Sequence, residues 1–119
     1  MERKKAIINV SPETLESTRF HCDTLSATRS QLIDTFGNPT DCGDGYDVTH
    51  NWDFTIDVDG EKFFCAIYDW KEFDGFGDFT YIDWHIGGKS GFDTQIAKSV
   101  FKSALGISDE YEVEIQNKD

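Results

Sequence analysis

Positive charge is scarce in this chain: 11 lysines and arginines stand against 23 aspartates and glutamates, a net charge of −12. A protein that grips a nucleic-acid backbone neutralises phosphates with lysine and arginine, so direct nucleic-acid binding is disfavoured. The same sign repels anionic membrane surfaces. No apolar run approaches the length of a membrane span. Glu2-Arg3-Lys4-Lys5 leads only to Ala6-Ile7-Ile8, too short for the core of a secretory leader. Cysteine is limited to Cys22, Cys42 and Cys65, an odd number at spacings that match no zinc pattern. The simplest reading is three reduced thiols in a cytosolic protein, with Cys65, set in an apolar run, acting as a small core residue.

What is present is aromatic. Phe, Trp and Tyr make up 14% of 119 residues, too many for a disordered tail despite the acidity. The length suits one domain, residues 1–119, able to bury a core without metals or disulfides. Fifteen of the 23 acids are aspartate, many beside glycine, which is turn chemistry and solubility before it is anything else. A sharper reading of the same charge is a surface that imitates DNA phosphates and captures a DNA-binding protein.

Alternation and punctuation predict the elements. Lys5 to Val10 reads as a short strand, and residues 17–22 as another at an edge. Thr24 or Ser26 caps a helix running to Phe36, with Leu25, Leu32, Ile33 and Phe36 near one face and Gly37 and Pro39 ending it. From Val48 the strand signal is strong: Trp52, Phe54, Ile56 and Val58 alternate with polar residues up to Asp59-Gly60, a hairpin turn. Lys62 to Trp70 returns with apolar residues on both faces, and Phe79 to Ile86 is a third strand. Ser90 caps a second helix whose stripe is Phe92, Ile96, Ala97, Val100, Phe101, Ala104 and Leu105. The tail alternates Tyr111, Val113 and Ile115 with glutamates, as an edge strand does. The reading is an α+β domain: an antiparallel sheet of three to five strands with two helices packed on one face, core order α-β-β-β-α.

Candidate chemistry collects on two segments. Tyr68-Asp69-Trp70-Lys71 offers aromatic planes for a base and an ammonium for a phosphate. Trp84-His85 followed by Gly87-Gly88-Lys89-Ser90 offers free amides at a helix start for an anion. Placed side by side, the segments would form a pocket for a nucleotide-like anion, whereas alternation sets Trp84 and His85 on opposite faces. An NTPase is rejected, because a P-loop needs glycine where Asp83 stands. An EF-hand is rejected as well, because Trp52 occupies the position of its last glutamate counted from Asp41. A hydrolase would have to use His85 with Asp69 or Asp83, with Cys65 as a nominal nucleophile.

Phe36-Gly37-Asn38-Pro39, Ile67-Tyr68-Asp69-Trp70-Lys71 and Trp84-His85-Ile86-Gly87-Gly88, taken together, resemble the blocks of a small family of tailed-phage and related viral proteins. The resemblance covers about residues 20–106 and leaves an N-terminal extension and an acidic tail outside it. It implies a viral source, and with it a small binding protein for counter-defence in the host-cell cytoplasm. Such a protein would need no cofactor and would sequester a nucleotide-like signal or inhibit a host defence protein. The acidic DNA mimic and the His/Asp hydrolase are the alternatives. Self-association through the tail strand or the aromatic face is a further option.

Overall fold

A computed structural model describes residues 3–10, 18–40, 47–70 and 77–116. Its elements are β1 (Lys4–Val10), β2 (Arg19–Ala27), α1 (Arg29–Phe36), β3 (Asn51–Val58), β4 (Glu61–Tyr68), β5 (Ile82–Gly88), α2 (Gly91–Ala104) and β6 (Tyr111–Gln116).

The β3–β4 hairpin forms where the alternation is cleanest. Asp59 and Gly60 both take positive φ, +55° and +85°, as the tight turn of a right-twisted hairpin requires. Trp52, Phe54 and Ile56 then share the buried face with Cys65 and Ile67. β5 pairs with β4 and β2 with β5, both antiparallel; β1 pairs antiparallel with β3 and parallel with β6. The result is one six-stranded sheet in the order β2-β5-β4-β3-β1-β6.

This corrects the expected fold in three respects. The strands number six rather than three to five, and the sheet is mixed rather than antiparallel, because β1 and β6 run side by side in the same direction. The helices also sit differently from an α-β-β-β-α core. Two strands precede α1, and α2 lies across β2, β5, β4 and β6. The first helix also starts later than its expected caps, since Thr24 to Ala27 are paired with β5. Thr28 is the cap: its hydroxyl accepts from the Gln31 amide while the Gln31 side chain accepts from the Thr28 amide.

The core lies between the sheet and the helices. Leu32 and Phe36 of α1 and Ala97, Val100 and Phe101 of α2 are buried against Ile8, Trp52, Phe54, Ile67, Trp84 and Ile86. Phe36 meets Phe54 and Phe101 edge-on at centroid distances of 5.0 and 5.7 Å. Trp52 and Trp84 cross at 5.5 Å, and each buried indole N–H is used: Trp52 donates to the Gly37 carbonyl at 2.9 Å and Trp84 to that of Ala27 at 3.0 Å. Each such side chain contributes about 1.5–3 kcal/mol through burial. Among the described residues, no helix is long and apolar enough to cross a membrane.

Candidate functional site

The register of the sheet decides which candidate residues meet. Tyr68 pairs with His85 and Cys65 with Gly88. Trp70 therefore lies level with the start of β5, about 16 Å along the strands from Gly88 at 3.3 Å per residue. The register thus does not set Trp70 beside the Gly87-Gly88 turn as the expected pocket requires, and Lys71 lies outside the described residues.

Several candidates prove structural. Trp84 is fully buried, wedged against Trp52. A Cβ on Gly88 would stand 2.7 Å from Thr94 Cγ2, so this glycine lets α2 pack closely on β5. A Cβ on Gly87 would stand 2.8 Å from Thr18 Oγ1 and 3.3 Å from the Tyr68 ring, on the opposite face. The Ser90 hydroxyl accepts from the Asp93 amide and caps α2. Lys89 is exposed between them.

Asp69 is likewise occupied. It is 1% exposed, and its carboxylate accepts from the Thr49 amide at 2.7 Å, the Thr49 hydroxyl at 2.6 Å, the His50 amide at 3.0 Å and His50 Nδ1 at 2.9 Å. Burial pushes its pKa up, but the hydrogen bonds from Thr49 and His50 together outweigh that and hold the carboxyl below its ordinary 3.8. With Nδ1 donating to Asp69, His50 Nε2 accepts from Arg29 at 3.3 Å, and Arg29 Nε donates to Asp78 at 2.8 Å. This chain of contacts ties the start of α1 to the entrance of β3 and the exit of β4. Asp69 thus has no acceptor to spare for His85, which removes that acid–base pair. Cys65 is buried, and burial, then Asp93 and Asp53, raise its thiol well above the ordinary value, so no thiolate is available there.

Three candidates do converge, on the face away from the helices, and one unanticipated residue joins them. His85 stacks on Phe20 at 4.0 Å with 15° between planes and on Trp70 at 5.9 Å with 20°. Tyr68 meets the His85 ring edge-on at 5.5 Å and the Trp70 ring at 6.4 Å. Phe20 comes from β2 and Trp70 from the end of β4, so His85 on the intervening strand is flanked from both sides. Phe20 and Trp70 are each 40% exposed. Burial lowers the His85 pKa below 6.5 and so favours the neutral imidazole, while the Asp83 carboxylate opposes that shift.

No protein-family model, curated protein or solved structure matches the chain.

Phe20 reaches this row because β2 is bulged. Between the pairs Phe20–Gly87 and Thr24–His85, β2 advances four residues while β5 advances two, and Cys22 takes a φ of +72°. No sequence pattern announces that bulge; the one hint was the short, poorly alternating stretch Phe20-His21-Cys22-Asp23. The loop from Asp41, rejected above as an EF-hand, lies mostly outside the described residues, and among the described residues no cluster of metal-ligating side chains exists.

Proposed function

We propose that this protein is a non-catalytic binding protein that takes a planar ring on the aromatic row Phe20–His85–Trp70–Tyr68. The observation that carries the reading is the pair of rings, Phe20 and Trp70, each 40% exposed and held nearly parallel to a histidine between them. Exposed aromatics in a row leave apolar surface in water at a cost, and stacking a ligand ring on such a surface contributes about 1–3 kcal/mol per base. A nucleobase-bearing signal fits. Its phosphate would be met at the Phe20 end, where Lys89 follows Gly88 at the exit of β5. Among the described residues no carboxylate is hydrogen-bonded to His85, and Asp69 is committed to Thr49 and His50, which favours binding over hydrolysis.

Counter-defence in a host cytoplasm, against a nucleotide-like signal or a host defence protein, is the biological setting we propose. Its support is the resemblance of the Ile67–Lys71 and Trp84–Gly88 blocks to viral proteins.

The protein carries its own reporter. Trp52 and Trp84 are fully buried, so among its three tryptophans Trp70 is the exposed one that a bound ring quenches. Calorimetry and tryptophan fluorescence against cyclic and linear nucleotides should find a member that gives both heat and quenching. Trp70→Ala and Phe20→Ala should each abolish the response. Absence of heat with every member at millimolar concentration would retire the ring-binding reading.

A further inference from the structure

On the helix side of the sheet, beside the β3–β4 turn, a groove of about 430 Å3 opens between α2 and the strand ends. Its floor is apolar: Val58, Phe63 and Ile96 are half-buried against the core, and Tyr111 of β6 lines it with them. Phe92 forms a wall and is 72% exposed. Its position in the sequence makes that exposure unexpected. Phe92 precedes Ile96 by one turn and Val100 by two, on the stripe that α2 turns toward the sheet. The stripe predicted a core residue, yet most of this ring lies in water.

The rim is acidic. Asp59, Glu61 and Asp93 stand around the apolar floor, and Lys4 is the one cation lining it among the described residues. Burial first, then Glu110 and Asp59, push the Tyr111 phenol up from its ordinary 10.0, as a negative local field does.

We propose that this groove docks a basic segment of another protein, which sets one apolar side chain against Phe92 and Ile96 while flanking lysines or arginines meet Asp59, Glu61 and Asp93. Charge complementarity selects this occupant: three carboxylates against one ammonium repel an acidic segment and attract a basic one. A wall as exposed as Phe92 encloses too little to bury a small molecule, whereas one anchoring side chain of a peptide needs only a floor and a wall. The net charge of −12 steers a basic partner toward the protein as a whole. The groove lies on the opposite side of the sheet from the aromatic row, so it stands independently of ring binding.

Fluorescence anisotropy tests it with a short fluorescein-labelled peptide carrying one phenylalanine between two pairs of arginines. A companion peptide has glycine in place of the phenylalanine. The first should bind the full chain at physiological salt and the companion about tenfold more weakly or worse. Phe92→Ser should weaken the first peptide to a similar degree. That substitution removes no core contact of a residue 72% exposed, and circular dichroism verifies that the fold is kept. Asp59→Asn combined with Glu61→Gln should weaken binding and flatten its salt dependence; asparagine tolerates the positive φ of position 59. Equal affinity for the two peptides would show charge attraction without a groove. That result, no binding of the first peptide, or an unchanged affinity in either variant overturns the proposal.

Discussion

Replacing Asp69 tests the most tightly bonded polar group described in the protein. Asp69→Ala removes an acceptor for four donors, two of them the main-chain amides of Thr49 and His50. Each stranded amide costs about 1–3 kcal/mol. The Thr49 hydroxyl and the His50 ring, 25% exposed, can turn to water and count for less. The expected loss is about 3 kcal/mol, a fall in Tm of about 12 °C for a domain of this size. Asp69→Asn keeps an acceptor oxygen and should fall between the two. Urea titrations followed by tryptophan fluorescence provide the assay. The pH dependence supplies a second signature. Because the folded pKa is depressed, the carboxylate's contribution is fully present above the ordinary 3.8 and is lost as pH falls through the lower folded value. Both variants should lack that acid slope. A loss below about 1 kcal/mol in Asp69→Ala, or an acid slope that persists in Asp69→Asn, would refute the account of Asp69 as a structural acceptor.

Three further outcomes follow from the geometry. Gly87→Ala would set its methyl 2.8 Å from Thr18 Oγ1 and 3.3 Å from the Tyr68 ring and should weaken ring binding measured by Trp70 quenching, whereas Gly88→Ala, aimed at Thr94, should lower the unfolding free energy from urea titration by about 1–3 kcal/mol and spare the ring affinity. Under native conditions iodoacetamide should alkylate the exposed Cys22 and leave the buried Cys65 untouched until urea is added, read by peptide mass mapping. The His85 ring should titrate below 6.5 by NMR; its depressed folded pKa means that stability falls as pH drops from 6.5 toward the folded value, and His85→Gln should remove that slope.

Local pattern carried much of this molecule. The Asp59-Gly60 turn, the alternation around it, the Ser90 cap and the Gly37 stop are all where chain chemistry puts them, because side-chain period and φ preference act within a few residues. The same period separated Trp84, now in the core, from His85, now on the far face. The acidic tail strand was equally legible.

Which strand lies beside which was not. The parallel pairing of β1 with β6 joins residues more than a hundred positions apart, and nothing in either strand names its partner. The start of α1 was misplaced because Leu25 and Ala27 suit a buried strand as well as a helix, and the competition is settled only by pairing with β5. Register, too, is a property of two strands at once. It carried Trp70 away from Gly88, gave Asp69 to Thr49 and His50, and, through a bulge, laid Phe20 on His85. The aromatic residues were therefore readable as candidates from the chain alone, while their assembly into one stacked row rests on contacts between strands distant in sequence.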